Sequence, residues 1–176
     1  MLRRIVLAAL VLAVPACGGS GGGNDGGSPA ATNASTYSDP GIETFPDEGR
    51  THVPVGTDIQ YNTDPPTSGP HYPDPEAGGF YTTVIASGFL VHSMEHGGII
   101  IYYDASQLTA SNLDALRALA DAHPGDFSQV VVVPRTDATY PIILTAWTHR
   151  LRLTSYDQSR IDGFIALFIG KGPENS

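Results

Sequence analysis

The sequence predicts an α+β domain: a small mixed or antiparallel sheet with two helices packed on one face, preceded by a long proline-rich ordered loop. Three features predict it, namely short β-branched apolar runs, two segments with helical periodicity, and a proline-dense stretch ahead of them. The predicted order is strand, strand, helix, strand, strand, helix. A ferredoxin-like arrangement fits this order, although strand order within the sheet does not follow from the sequence.

Residues 1–16 are predicted to be a secretory signal peptide of the lipoprotein type. Two arginines precede an apolar stretch of about ten residues, which is too short to cross a bilayer stably. Cys17 follows a small residue, as in a bacterial lipobox, and is the expected lipidation site. An ordinary signal peptide cut near Ala16 is the alternative. The protein is therefore expected to be exported, and either anchored through Cys17 to the outer face of the cytoplasmic membrane or located in the periplasm.

Residues 17–49 are expected to form the lipidated cysteine and a flexible tether. The segment from residue 18 to about residue 36 is rich in glycine, serine and alanine, so it cannot bury enough apolar surface to fold. Residues 50–174 then form a single globular domain of ordinary size.

Charge and cysteine content exclude several classes of function. The chain has 18 acidic and 9 basic residues, a formal net charge of −9, which argues against nucleic acid as a partner. Cys17 is the only cysteine, so the domain has neither an intramolecular disulfide nor a thiolate metal site. The expected membrane contact is the lipid anchor, and nothing in the sequence identifies a protein partner.

The proline-rich loop covers residues 61–79 and contains five prolines. This proline content excludes a helix and disfavours a strand within a sheet. The loop also carries Tyr61, His71 and Tyr72, which a disordered linker seldom needs. We therefore expect an ordered loop packed over the domain, of the kind that often has a function.

Three apolar runs are predicted to be buried strands, and 80–88 is a weaker candidate. The runs cover 97–103, 129–135 and 141–153, and each is bounded by turn residues.

Two segments have the periodicity of amphipathic helices. The first covers about 110–122, where Leu113, Leu116 and Ala120 recur on one face. The second covers about 156–169, with apolar residues at the spacing i, i+3, i+4, i+7 and a glycine at its end.

The stretch from His92 to His96 allows two interpretations. On a helix, His92, Glu95 and His96 share a face, as in a zinc-protease helix whose glutamate activates water. In an extended segment, His92, Met94 and His96 point the same way and form a ligand set that suits copper. The glycine pair that follows leaves at most eight residues for a helix, so the extended interpretation is favoured.

A metal site at these histidines needs a third imidazole from another segment. His71 in the proline-rich loop is the main candidate, and His52 is a further one. His149 is more consistent with an exposed strand residue, and His123 with a structural role at a helix end.

Four sequence blocks together resemble a known bacterial family. They are YNTDPPTSGPHY, VHSMEHGGIIIYY, PIILTAWTHRLRL and IDGFIALFIGKGPE, within residues 50–174. The chain resembles the family catalogued as domain of unknown function 3105. Members are commonly exported or membrane-anchored, and no enzymatic activity is established for them.

The resemblance bears on individual positions. It implies that His71, His92 and His96 form the shared polar set, because these positions match the family's pattern. The position of Met94 is often leucine in the family, which weakens Met94 as an essential ligand.

The favoured function is an extracytoplasmic lipoprotein that binds a transition metal, with copper preferred and zinc as the alternative. The expected ligands are His71, His92, His96 and Met94, supported by Glu95 and Tyr72. A second hypothesis is a structural or partner-binding envelope module with a hydrogen-bonded His/Glu cluster. A zinc-dependent hydrolase, in which Glu95 is the catalytic base, is less favoured, because the glycine pair and the apolar run that follows leave little room for the rigid helix of a zinc protease.

Overall fold

The structure is a computed structural model that describes residues 37–174. The predicted signal peptide, the lipidation site Cys17 and the predicted tether up to residue 36 lie outside the described residues, so these assignments stay predictions. Residues 37–49, which were also predicted to be tether, instead belong to the domain, because Ile42–Thr44 pairs with the sheet. Within residues 37–174, no helix has both the length and the apolar character that a membrane span requires.

A six-stranded mixed sheet forms the centre of the domain. Its strands are β1 (Ile42–Thr44), β2 (Gly79–Phe80), β3 (Ile99–Tyr103), β4 (Val130–Pro134), β5 (Ile142–Ala146) and β6 (His149–Leu153). Their order in the sheet is β1-β6-β5-β3-β4-β2. The pairs β3–β4 and β2–β4 are parallel, and the other three pairs are antiparallel. The predicted mixed sheet is confirmed, whereas the ferredoxin-like arrangement is wrong because that fold has an antiparallel sheet.

The central strands β3 and β5 could be predicted from the sequence because both faces of the sheet are covered there. All five residues of β3 and of β5 are buried, which matches their continuous apolar runs. The predicted run 141–153 is a hairpin of β5 and β6, whose turn includes Thr148 at φ 61°. The weaker strand predicted for 80–88 is wrong: only Gly79–Phe80 pairs in the sheet, and a helix begins at Ser87.

Among the described residues, three α-helices cover the sheet. They are α1 (Ser87–Glu95), α2 (Ala110–Ala122) and α3 (Gln158–Phe168). Leu116 of α2 and Phe164 of α3 belong to the same buried cluster on one sheet face, which confirms the prediction of two helices on one face. Helix α1 packs on the opposite face, where Leu90, Val91 and Met94 join a second cluster.

The extended interpretation of the stretch from His92 to His96 is wrong, because the stretch is the end of α1. Gly97 and Gly98 do not prevent the helix but end it. The N–H of Gly98 donates to Ser93 O at 2.8 Å and that of Gly97 to Met94 O at 3.0 Å, with Gly97 at φ 82°. This is a Schellman cap, which needs a left-handed residue just after the helix.

The proline-rich loop is ordered as predicted and packs against α1. Residues 65–69 are buried, as are His71 and Tyr72. Two main-chain hydrogen bonds join the loop to residues 51–53. His71 N donates to Thr51 O at 3.0 Å, and Val53 N donates to His71 O at 2.8 Å. Tyr72 N donates to Gly88 O at 3.2 Å, which joins the loop to the start of α1.

Candidate metal centre

Four histidines and one glutamate converge at the C-terminal end of α1. They form two overlapping groups, His52–His71–His92 and His92–Glu95–His96. Within each group the candidate ligand atoms all lie within 4.8 Å of one another. Because His92 belongs to both groups, the five side chains form one continuous cluster, which we call the histidine cluster.

Helix α1 supplies three members of the cluster through its spacing. Positions three and four apart lie on the same helix face, so His92, Glu95 and His96 point together. Met94 points elsewhere: it is fully buried in the apolar cluster against the sheet. The structure therefore does not bring Met94 to the histidines, and the helical geometry removes the reason for expecting it there.

Two non-regular segments supply the other two histidines. His71 comes from the proline-rich loop and is fully buried. His52 lies opposite it in an isolated parallel β-bridge, and its side chain is 51% exposed. The ring centroid of His52 lies 4.8 Å from that of His71 and 5.0 Å from that of His92. The bridge is what places His52 in the cluster.

Three of the histidines are oriented by main-chain carbonyls. A carbonyl oxygen only accepts hydrogen bonds, so each Nδ1 carries the hydrogen and each neutral ring keeps an unshared pair on Nε2. This arrangement is typical of metal-binding histidines, whose outer nitrogen is held by an acceptor. The bonds run from His71 Nδ1 to Gly69 O at 2.8 Å, from His92 Nδ1 to Tyr72 O at 2.6 Å, and from His96 Nδ1 to Glu174 O at 3.0 Å.

The Nε2 atoms face other electron-rich atoms at short distances. His92 Nε2 and His96 Nε2 are 3.0 Å apart. His71 Nε2 lies 3.0 Å from Glu95 Oε2, yet neither atom has a hydrogen-bond partner among the described residues, so the pair is not aligned for such a bond. Lone pairs at this separation repel unless a proton or a metal cation lies between them.

Burial makes this requirement for a cation stronger. Glu95 is 1% exposed, and both of its carboxylate oxygens lack a hydrogen-bond partner among the described residues. A buried carboxylate is costly unless a positive charge compensates it. Burial also lowers the pKa of His92, and the neighbouring imidazoles lower it further, which favours the neutral ring that a metal ion requires.

Aromatic side chains flank the cluster on two sides. The Trp147 ring packs edge-on against His71, with centroids 6.4 Å apart, and its Nε1 donates to Asp47 Oδ2 at 3.2 Å. Phe127 packs edge-on against His96 at 4.6 Å and is itself 55% exposed. The cluster is therefore closed on the Trp147 side and meets solvent on the side of His52 and Phe127.

The structure brings together most of the residues that the sequence singled out. His71, His92, His96 and Glu95 meet in the cluster, and Tyr72 supports His92 through its carbonyl group. Glu95 contacts His71 directly and is not confined to an outer supporting position.

The other two histidines lie outside the histidine cluster, and His149 is half-buried in β6 where the sequence predicted an exposed strand residue. His149 stacks on Phe168, and His123 Nδ1 donates to Leu119 O at the end of α2. His52 was only a secondary candidate, because its place depends on pairing between two segments without regular structure.

A comparison with protein families finds a match over the domain. A family model described as "Protein of unknown function (DUF3105)" matches residues 52–176, which include all five members of the histidine cluster. This match confirms the resemblance seen in the sequence. No curated protein and no solved structure matches the chain.

Proposed function

The chain belongs to the family DUF3105, and on that premise we propose that its domain binds a divalent transition metal in the histidine cluster. The proposed ligands are drawn from His52, His71, His92, His96 and Glu95. We propose further that the protein is an exported lipoprotein, anchored through Cys17, which would hold this metal outside the cytoplasm.

One observation carries the proposal: the buried side chains of His71, His92 and Glu95 converge with those of the less buried His96 and His52. Three Nδ1–H groups already donate to carbonyl oxygens, so in a neutral ring each Nε2 can bind a metal ion. Donors bound about 2 Å from one ion lie about 3–4 Å from each other. The 3.0 Å His92–His96 and His71–Glu95 distances and the 3.9 Å His52–Glu95 distance fall in this range.

The donor set favours zinc over monovalent copper. Imidazole and carboxylate ligands suit Zn²⁺ and Cu²⁺, whereas Cu⁺ prefers thioether or thiolate ligands. Since Met94 is buried in the apolar cluster, the thioether that first suggested copper is not part of the site. We therefore propose Zn²⁺ as the occupant, with Cu²⁺ as the competitor because it binds nitrogen ligands more tightly.

A metal titration tests the proposal. The untagged domain, stripped with a chelator, is titrated with Zn²⁺ and with Cu²⁺ in competition with a chromogenic chelator. We expect one ion per chain with Kd tighter than about 10 μM, which corresponds to about −7 kcal/mol. Weaker binding of both ions would exclude the proposed function. Elemental analysis of the natively exported protein then identifies the metal.

The alternative is a hydrogen-bonded structural cluster in which a proton takes the place of the metal. A protonated His71 beside Glu95 would form a buried ion pair at 3.0 Å. In that case the exported protein contains no metal, and His92→Ala destabilises the domain by about 1–3 kcal/mol through lost buried partners. The missing alignment between His71 Nε2 and Glu95 favours the metal.

The arrangement does not favour Glu95 as a catalytic base. A general base must reach a water molecule or a substrate proton, directly or through one water. Glu95 is 1% exposed and lies against His71 and His52, which makes it a ligand or a charge partner of the imidazoles.

A further inference from the structure

The C-terminal segment Gly170–Glu174 lies across the end of α1 that carries the histidine cluster. It follows α3 directly, and its main chain bonds to the last residues of α1 and to the cap beyond them. Gly170 N donates to Gly97 O at 2.8 Å, and Glu174 N donates to Glu95 O at 3.1 Å. The segment thereby satisfies carbonyl groups at a helix end that the helix itself leaves without partners.

The same segment orients one of the proposed ligands. The carbonyl oxygen of Glu174 accepts the hydrogen bond from His96 Nδ1 at 3.0 Å. This bond sets the ring's tautomer and leaves Nε2 facing His92. Of the three carbonyls that hold the proposed ligands, those of Gly69 and Tyr72 belong to the proline-rich loop, and that of Glu174 belongs to this segment.

Close packing at a glycine allows the segment to reach this position. A Cβ at Gly172 would overlap the carbonyl oxygen of Glu95 and lie within 2.5 Å of that residue's carbonyl carbon. Both are main-chain atoms that cannot turn away as the end of a flexible side chain can. A side chain at position 172 would therefore push the segment off α1 and move the Glu174 carbonyl away from His96.

We infer that Gly170–Glu174 contributes to metal binding by orienting His96. Metal binding and docking of this segment on α1 then strengthen each other. This inference rests on the metal-binding function proposed above. A metal on His96 Nε2 withdraws electrons from the ring, so Nδ1–H becomes a stronger donor to Glu174 O. Because such coupling is reciprocal, a docked segment raises metal affinity, and bound metal holds the segment in place.

The first test is the zinc affinity of Gly172→Ala in the full mature chain. Loss of an orienting partner typically weakens metal binding 10- to 100-fold, so we expect about 10-fold weaker Zn²⁺ binding. The matched control is Gly163→Ala in α3, where the new Cβ would overlap the Tyr37 ring, away from the cluster. This control should lower the melting temperature and leave the Kd for Zn²⁺ unchanged.

The second test uses the wild-type chain, so it does not depend on a variant that folds. Hydrogen exchange at the Gly170 and Glu174 amides is measured with and without saturating Zn²⁺. We expect exchange at both amides to slow at least several-fold when Zn²⁺ is bound. In His96→Ala, saturated with Zn²⁺ through the remaining ligands, this slowing should disappear.

The outcomes separate the two proposals. One outcome is that the wild-type chain binds Zn²⁺ while its Gly170 and Glu174 amides exchange equally fast with and without the metal. The proposed coupling between metal binding and segment docking is then wrong, but the proposed metal site is not contradicted. Wild-type zinc affinity in Gly172→Ala would likewise overturn the coupling. If the wild-type chain binds no metal, both proposals fail.

Discussion

The Nε2 atoms of His92 and His96 lie 3.0 Å apart on adjacent turns at the end of α1, while the Nδ1 of each ring donates to a main-chain carbonyl. Two neutral imidazoles in this arrangement present lone pairs to each other, which is unfavourable in a partly buried site. A cation between them removes the repulsion. Three predictions concern this metal site, and a fourth concerns the ion pair between Asp39 and Arg160.

His92→Ala should weaken Zn²⁺ binding more than any other single substitution in the cluster, because His92 belongs to both ligand groups. We expect a loss of at least about 100-fold in affinity, measured by chelator competition. His123→Gln is the matched control, since His123 lies at the end of α2 outside the cluster. Equal affinities of His92→Ala and the wild type would mean that the metal does not bind here.

Met94→Leu should leave the affinities for Zn²⁺ and Cu²⁺ unchanged. Met94 is fully buried in the apolar cluster, and leucine has nearly the same volume, so the cost in stability should be below about 1.5 kcal/mol. Titration of both ions and thermal unfolding of the variant check these expectations. A large loss of copper affinity would restore Met94 as a ligand and the copper hypothesis with it.

Trp147 should report metal binding through its fluorescence. It is the only tryptophan of the chain, and its ring centroid lies 6.4 Å from that of His71. A paramagnetic Cu²⁺ ion bound to the imidazole beside this indole quenches its emission, whereas Zn²⁺ does not. We expect saturable quenching by Cu²⁺ that excess Zn²⁺ reverses, and no quenching in His92→Ala at the same copper concentration. Equal quenching in the variant would place the copper elsewhere.

Asp39→Asn should destabilise the domain in a pH-dependent way. The Arg160 guanidinium bonded to Asp39 lowers the pKa of this carboxyl group to about 2, assisted by the N–H of Gly41 and the hydroxyl of Tyr37. A lowered carboxyl pKa stabilises the fold above the ordinary value of 3.8, and this stabilisation is lost as the pH falls toward 2.

Urea unfolding at several pH values checks this expectation. Because Arg160 is partly exposed, we expect a loss of about 1–2 kcal/mol at pH 6, which shrinks steadily between about pH 4 and pH 2. Asp121→Asn, at an exposed position of α2, is the control and should change stability by less than about 0.5 kcal/mol. A difference that does not vary with pH would show that the ion pair is not its source.

The parts of the fold that were predictable are those with a local signal. Helix α2 was predicted at 110–122 and lies at Ala110–Ala122, because one side packs on the sheet and the other meets solvent. The strands β3, β4 and β5 were predictable because burial on both faces selects continuous β-branched runs. Helix α1 lacked such a signal: seven of its nine residues are buried, so no polar face marks its periodicity.

The candidate site was predictable in its residue types and only partly in its geometry. His71, His92 and His96 were recognisable as a set, because His92 and His96 lie four residues apart, His71 lies in the proline-rich loop, and the family resemblance implies that the three belong together. Met94 was assigned to the same face only because the stretch was taken as extended. On a helix, residues two positions apart lie on nearly opposite sides, so the correct secondary structure removes Met94 and admits Glu95.

The sequence by itself determined the α+β class, the extent of α2, the approximate extent of α3 and the family, and it singled out His71, His92 and His96 as a set. Only the tertiary structure decided that α1 is a helix, that His52 joins the cluster and that the Glu174 carbonyl orients His96. The physical reason is the separation in sequence between the residues that interact. Apolar periodicity is a local property of the chain, whereas a ligand set depends on hydrogen bonds between segments far apart in sequence, such as the pair separated by 78 positions here.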